Sequence, residues 1–339
     1  MIERYSRQEL FAPIGEKGQK SIGSKHVLVV GAGALGTGIA ESLARAGVGK
    51  LTILDRDYVE WSNLQRQQLY SEQDAEKRLP KAIAAKRRLK MINSTIAIEA
   101  HVMDANVNEL EELITHVDLI MDATDNFDIR FLINDLAQKH GIPWIYGACV
   151  GSYGLSYTIL PGKTPCLSCL LETVPMNGLT CDTAGVIGPA VQMVIAYQVA
   201  EAMKLLAGDE SSLRKKLVSF DLWKNQHTMI AVEKLKRKDC PSCGADRTYP
   251  FLQYENQVKT AVLCGRNTVQ IRPPHAQKRN LEEIAQLLEK QHGQVEKNPY
   301  LISFTIGEHR LVLFKDGRVF VHGTNDIMLA KTLYHRYLG

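Results

Sequence analysis

The chain has 339 residues, 45% of them apolar and 23% charged, with a formal net charge of +4. This is ordinary globular composition with enough chain for two domains. The charge is too slight to predict a nucleic-acid-binding surface, and the charged start MIERYSRQELF lacks the apolar stretch of a signal peptide.

Strand and helix alternate over the first 150 residues. HVLVV (26–30) is an apolar run ending at a glycine turn, the mark of a buried parallel strand. The helix LGTGIAESLARAG (35–47) stops at Gly47, a C-terminal cap. KLTILD (50–55) is a second strand, and LPKAIAAKRRLKMI (79–92) a helix with Pro80 in its first turn. A strand at 96–102, a helix at 109–114 and a strand at 117–123 follow. The helix NFDIRFLINDLAQKH and the strand PWIYGAC (143–149) complete a doubly wound, Rossmann-like α/β pattern.

Beyond Cys149 the pattern changes. GLSYTILP predicts an antiparallel strand, followed by a loop with two cysteines and a long helix over roughly 187–207. Two strands, KLVSFD (216–221) and HTMIAVEKL (227–235), extend the sheet antiparallel. The stretch 185–206 is the longest apolar candidate, but Gln192, Gln198, Glu201 and Lys204 interrupt it, so no membrane span is expected. Residues 1–246 are expected to form one unit and 247–339 a small α+β domain. That domain is assigned the loop RPPHAQK, a helix NLEEIAQLLEKQH, a hairpin LISFTI/HRLVLF, a third strand GRVFVH and a terminal helix TNDIMLAKTLYHRYL.

Gly31, Gly33 and Gly36 form G-x-G-x-x-G between a strand and a helix, where bare backbone and a helix N-terminus receive phosphate. Asp55 ends the next strand, placed to accept from ribose hydroxyls. These features fit NAD and ATP equally. The segment DRDYVEWSNLQRQ then adds Asn63 and Arg66, and Lys81 follows. A triphosphate carries more charge than a dinucleotide, and such cations could hold and release pyrophosphate. Lys86, Arg87, Arg88 and Lys90 are read as a solvated helix face.

Seven cysteines in a chain without an export signal argue for reduced thiols, metal binding and a cytoplasmic location. Cys166/Cys169 (CLSC) and Cys240/Cys243 (CPSC) are two C-x-x-C pairs, the ligand count of a closed structural zinc site. Cys149 is expected in the core. Cys264 has no evident partner, and its surroundings are not those of a rhodanese loop.

RYSRQ near the start, the glycine turn, LDRDYVEWSNLQRQ, ATDN (123–126) and the cysteine pairs resemble the MoeB/ThiF family, adenylyltransferases related to ubiquitin-activating enzymes. The resemblance covers about residues 1–246. It implies ATP and Mg²⁺, and activation of the C-terminal glycine of a ubiquitin-like sulfur carrier of MoaD or ThiS type as an acyl-adenylate. By the same resemblance Arg7 reaches the triphosphate of the neighbouring subunit in a homodimer, and Asp55 binds ribose. Asn63, Arg66 and Lys81 bind phosphates, and Asp125 is the magnesium-linked aspartate. The plain alternative for Asp125 is a cap on the helix starting at Asn126. Cys181, in the loop-like GLTCDTAGV, matches a cysteine that can form an acyl-disulfide with the carrier. Ala34 departs from the family's frequent third glycine, and the stretch from Arg66 to Lys81 is slightly long, so Lys81 is placed by its LPK context. Two rivals stand beside this reading: an NAD-dependent oxidoreductase on the same fold, and a zinc ribbon holding nucleic acid. The first leaves Arg66, Lys81 and the cysteines unexplained; the second usually has closer pairs and a stronger basic bias.

Overall fold

The computed structural model describes residues 3–171, 185–253, 260–263, 267–272 and 279–338. Helices α1 (Ser6–Glu9) and α2 (Gly15–Ile22) lead into β1 (His26–Val30), α3 (Ala34–Ala46) and β2 (Lys50–Asp55). Then come α4 (Glu72–Glu76), α5 (Lys81–Ile92), β3 (Ala97–Val102), α6 (Val107–Leu113), β4 (Leu119–Asp122), α7 (Phe127–His140) and β5 (Trp144–Val150). β6 (Tyr153–Ile159), α8 (Leu167–Leu171), α9 (Gly188–Ala207), β7 (Lys216–Asp221) and β8 (Gln226–Ala231) complete this part. The eight strands form one sheet in the order β3-β2-β1-β4-β5-β6-β7-β8. It is parallel from β3 to β5 and antiparallel from β5 to β8.

The alternation of β1 explains the two layers. Val27 and Val29 point into one core with Ile39 and Leu43 of α3, Leu89 of α5 and Val194 of α9. Leu28 and Val30 point into the other, with Leu132, Ile133 and Leu136 of α7. Neighbouring residues of a strand face opposite sides, so an unbroken apolar run needs cover on both.

Helix α9 is long and apolar enough to cross a membrane by length and composition. Its polar residues show what it does here. Buried Gln198 donates through Nε2 to the carbonyls of Asp122 (2.8 Å) and Ile145 (3.1 Å). Buried Glu201 accepts from Thr158 Oγ1 (3.1 Å) and Arg214 N (3.0 Å). The helix is thereby tied to the sheet.

The second sheet is larger than the sequence suggests. β9 (Thr260–Leu263), β10 (Thr268–Ile271), β11 (Gln294–Lys297), β12 (Leu301–Ile306), β13 (His309–Phe314) and β14 (Val319–His322) run antiparallel in the order β11-β12-β13-β14-β10-β9. One face packs under α10 (Leu281–Glu289) and α11 (Ile327–Tyr337). On the other face Leu301, Val312, Phe314 and Phe320 pack with Tyr58 and Val102 of the first part.

Local differences from the sequence expectation have physical causes. Pro80 is the N-cap of α5, not a residue of its first turn, because it forms a bridge with Tyr58. The first cysteine pair sits on a helical turn, α8, which lets Leu170 N bond to Cys166 O. The strand expected over 227–235 stops at Ala231 and gives way to a 3₁₀ turn, Glu233–Leu235. Cys149 is half-buried at the edge of the first core. Cys181 and Cys264 lie outside the described residues.

Asp104, just after β3, joins the two sheets. It is 5% exposed and faces Arg56 at 3.5 Å, Arg272, and Gln270, whose Nε2 donates at 2.5 Å. Burial pushes its carboxyl up, but Arg56, Arg272 and Arg318 outweigh burial and hold it below the ordinary carboxylate range. A depressed native pKa means stability that is present above the unfolded value near 4 and lost as pH falls through the native one. Asp104→Asn should therefore destabilise the protein by about 3 kcal/mol at pH 7. In urea unfolding the gap between wild type and variant should close below about pH 4; a gap constant with pH would contradict the assignment.

Candidate active site

The glycines of the turn differ in what they do. Gly31 has φ +99, and a Cβ there would sit 2.5 Å from Ala123 O. A Cβ on Gly36 would lie 1.9 Å from Gly31 O. Both are needed simply to fold the turn against the 123–126 segment. A Cβ on Gly33 would meet only Gln67 Nε2, at 3.9 Å. Gly33 is the N-cap of α3 and carries no side-chain cap, with Ala34 as the first helical residue. The protein thus leaves open space at a helix N-terminus, where backbone N–H groups and the helix dipole favour an anion.

Asp55 stands at the end of β2. Its Oδ2 accepts from Ala32 N at 2.6 Å and its Oδ1 from Asp57 N at 2.7 Å. The carboxylate therefore braces the glycine turn, with one further lone pair on each oxygen for a hydroxyl donor. Burial raises its pKa, opposed by Lys81.

Lys81 is only 2% exposed. Its Nζ donates to Asp57 Oδ2 at 3.2 Å, and its backbone N to Asp57 O at 2.9 Å. Val59 N donates to Leu79 O at 2.9 Å, so 57–59 and 79–81 form a small ladder. Tyr70 crosses this corner, its hydroxyl donating to Ala32 O (2.6 Å) with Lys81 O 3.2 Å away. The structure brings Asp55, Lys81 and the glycine turn together, as expected. The sequence reading missed Asp57, although the i, i+2 spacing in DRD puts both carboxylates beside one turn.

Asn63 is buried, and its Oδ1 accepts from Glu60 N (3.0 Å) in a capping box of the 3₁₀ turn Trp61–Asn63. Arg66 is half-exposed on the following turn, Nη1 donating to Ser62 O at 2.8 Å. Between them and the glycines lies Gln67, which was also missed. It is 3% exposed, and its Oε1 is buried without a partner among the described residues. A buried, unpaired amide oxygen is costly, and the Nε2 of the same amide is the group that faces Gly33.

The ATDN turn follows β4. Asp122 is fully buried; it pairs with Arg130 Nε at 3.1 Å and accepts from Thr124 N (2.9 Å) and Thr124 Oγ1 (2.8 Å). Burial raises its pKa, with Arg130 opposing. Asp125 is exposed, within electrostatic reach of Arg130. It is not the helix cap: Asn126 caps α7, its Oδ1 accepting from Asp128 N at 2.7 Å. Because Ala123 touches both Gly31 and Gly36, Asp125 is carried beside the glycine turn. This is the switch point between β1 and β4, where open α/β sheets bind ligands. A carboxylate there not spent on capping suits a hard cation bridging to phosphate.

Arg7 is not brought to this place. Tyr5 stacks under Gly47 and Gln8 Nε2 donates to Ala46 O at 3.0 Å, so α1 sits at the far end of α3. A helix of 13 residues spans about 20 Å, which separates Arg7 from the glycine turn of its own chain.

The four cysteines converge on the opposite side of the sheet. Sγ–Sγ distances are 3.9 Å (Cys166–Cys169), 3.6 Å (Cys166–Cys240) and 3.5 Å (Cys169–Cys243), and all four sulfurs lie within 4.8 Å of one another. A zinc tetrahedron with 2.3 Å bonds has edges of about 3.8 Å, so the cage fits that ion. Ser168 and Ser242, at matching places in the two knuckles, are 3.0 Å apart. Asn134 of α7 accepts from Leu167 N at 2.8 Å, anchoring the cage to the helix that begins at the ATDN turn.

Comparison with known proteins places relatives beside this chain by sequence and by fold. The sequence profile described as "ThiF family" matches residues 5–242. The chain is 55% identical over 339 residues, all of both chains, to the Sulfur carrier protein ThiS adenylyltransferase of Bacillus subtilis. It is 36% identical over 243 residues to the Molybdopterin-synthase adenylyltransferase of Escherichia coli, covering 71% of this chain and 96% of that one. Among solved structures, Escherichia coli MccB superposes with a TM-score of 0.64 at 21% identity, over 73% of each chain, a likeness of fold.

The glycine geometry predicts a contrast in thermal melting. Gly36→Ala should lower Tm by well over ten degrees or abolish folding, since its Cβ would strike backbone. Gly33→Ala should melt within about two degrees of wild type. Equal effects would show that Gly33 serves the fold and not a ligand.

Proposed function

The chain belongs to the ThiF family, and on that footing we propose that it is the adenylyltransferase of a ubiquitin-like sulfur carrier of ThiS type. Using ATP, it converts the carrier's C-terminal glycine to an acyl-adenylate, the activation that precedes sulfur loading in thiazole synthesis. The observation that carries this reading is the buried Lys81–Asp57 pair beside an open helix N-terminus, at a switch point that also holds Asp125. The ThiS choice rests on the 55% identity over all of both chains to an enzyme of that name; the molybdopterin-synthase relative is 36% identical over 71% of this chain. The oxidoreductase alternative gains no support from these relatives.

The chemistry needs little from the protein beyond positioning and charge. A carboxylate oxygen of the carrier forms a bond to the α-phosphorus as the bond to the bridging oxygen breaks, and pyrophosphate leaves. The nucleophile is already ionised at neutral pH, so no general base is required. Gly33 and the first N–H groups of α3 receive phosphate oxygens, Asp55 the ribose, and Lys81 with Arg66 balances the leaving pyrophosphate. Asn63 shapes the turn that presents Arg66. Asp125 would hold Mg²⁺, which when bound neutralises phosphate charge. Arg7 is assigned to the triphosphate of the partner in a homodimer, in keeping with its distance from its own glycine turn. Cys181, outside the described residues, is assigned to a covalent link with the carrier on family grounds. The four cysteines would hold a structural zinc, and the protein would act in the cytoplasm.

Pyrophosphate exchange into ATP should depend on a ThiS-type carrier and be at least tenfold slower with a MoaD-type one. Lys81→Ala should reduce it by about a hundredfold, the size of one preorganised charge contact. Exchange that ignores every glycine-tailed carrier would remove the proposal. Dialysis against a strong chelator should release one zinc per chain and lower Tm, with no change in ATP affinity below the melt. Loss of nucleotide binding while the fold persists would mean the metal does more than staple.

A further inference from the structure

The second sheet supplies no residue to the chemistry above, yet it grips the segments that carry Asp57 and Lys81. Arg318 Nη1 donates to the carbonyl of Arg56 at 3.2 Å, and Arg56 Nη1 donates to Gln270 Oε1 at 3.1 Å. On the other side of Asp57, the Tyr58 hydroxyl accepts from Arg310 Nη2 at 2.8 Å and meets His322 Nε2 at 3.1 Å. Both flanks of Asp57 are therefore fixed from β10, β13, β14 and the turn before β14.

The lysine side is held in the same way. Asn298 Nδ2 donates to the carbonyls of Lys77 and Arg78, each at 3.1 Å, and Glu296 pairs with Arg78. These residues lead directly into Leu79 and Lys81, which the small ladder joins to 57–59. Phe314 and Phe320 of the second sheet seal Tyr58 from below in a separate apolar cluster.

We infer that the second sheet is a positioning element of the nucleotide site, clamping 56–58 and 77–78 so that Asp57 holds the Lys81 ammonium toward the phosphates. The inference rests on the adenylyltransferase reading and gives the C-terminal part a role in ATP affinity. Arg310 and Asn298 are its positioning residues. Neither belongs to the glycine turn or to the set assigned above to the phosphates.

The test is equilibrium binding of ATP–Mg²⁺ to full-length protein, with exchange kinetics alongside. Arg310→Gln should weaken ATP binding about tenfold and Asn298→Ala about threefold, as expected for one lost charge-assisted contact and one neutral contact. The KM for the carrier should stay within twofold, and Arg310→Lys should recover part of the loss. In a Lys81→Ala background, Arg310→Gln should have no further effect, because residues acting through one another are not additive. Three results would overturn the inference: ATP affinity within twofold of wild type in both variants, full additivity with Lys81→Ala, or a change in carrier KM alone. Wild-type protein that binds no ATP would overturn the adenylyltransferase reading first, and this inference with it.

Discussion

Burying an ammonium is costly unless a counter-charge comes with it. Lys81 is 2% exposed, and Asp57 3.2 Å away is what makes that position tolerable. The pair sets the layout around it. Asp57 must follow Asp55 closely, so one short turn serves both the glycine loop and the lysine. Lys81 must open a helix beside that turn, so Pro80 is drawn into a bridge with Tyr58. The ion pair joins two segments that are separate in the chain, and Asp55, two residues away, joins the first of them to the glycine turn.

The second constraint is steric. Gly31 and Gly36 are pressed against Ala123, so the turns after β1 and β4 cannot move independently. That contact carries Asp125 to the glycine loop. The buried Asp122–Arg130 pair stiffens the same turn from behind, with Arg130 Nη2 donating to Thr124 O at 2.6 Å. The glycine turn after β1 and the ATDN turn after β4 thus meet where the strand order reverses, the place at which open α/β sheets receive ligands.

The cysteine cage lies across the sheet from α3 and shares α7 with the site. Asn134 and Asp135 of that helix hold Leu167 N and Phe251 N, at 2.8 and 3.0 Å. A closed four-sulfur cage has no open coordination position. Its mechanical effect is to join the segment after β6 to the segment after β8, which closes the antiparallel end of the sheet.

Much of this was legible in the sequence. The glycine spacing, Asp55 and the two C-x-x-C pairs could be read directly, because backbone sterics, a strand end and metal-ligand spacing are local rules. The β1–α3–β2 unit and the antiparallel extension followed from periodicity. Sequence could not find Gln67, which reads as one more polar residue in SNLQRQ until it is seen buried, with its Nε2 facing Gly33 and its Oε1 without a partner among the described residues. Asp57 is visible in DRD as a carboxylate two residues after Asp55, but its pairing with Lys81 is not. The strands β9, β10 and β11 have four residues each, too few to show a clear alternation; β9 pairs with β10 and β11 with β12 across short loops, and only the β10–β14 pairing is long-range. The sequence by itself thus determined the strand–glycine turn–helix unit, the place of Asp55 at a strand end and the pairing of the four cysteines. The tertiary structure alone decided which charges share a buried space, that Arg7 stands far from its own glycine turn, and that the second sheet bears on the loop holding Lys81. Those are facts of distance and burial, and a chain acquires them only when segments far apart in sequence are packed together.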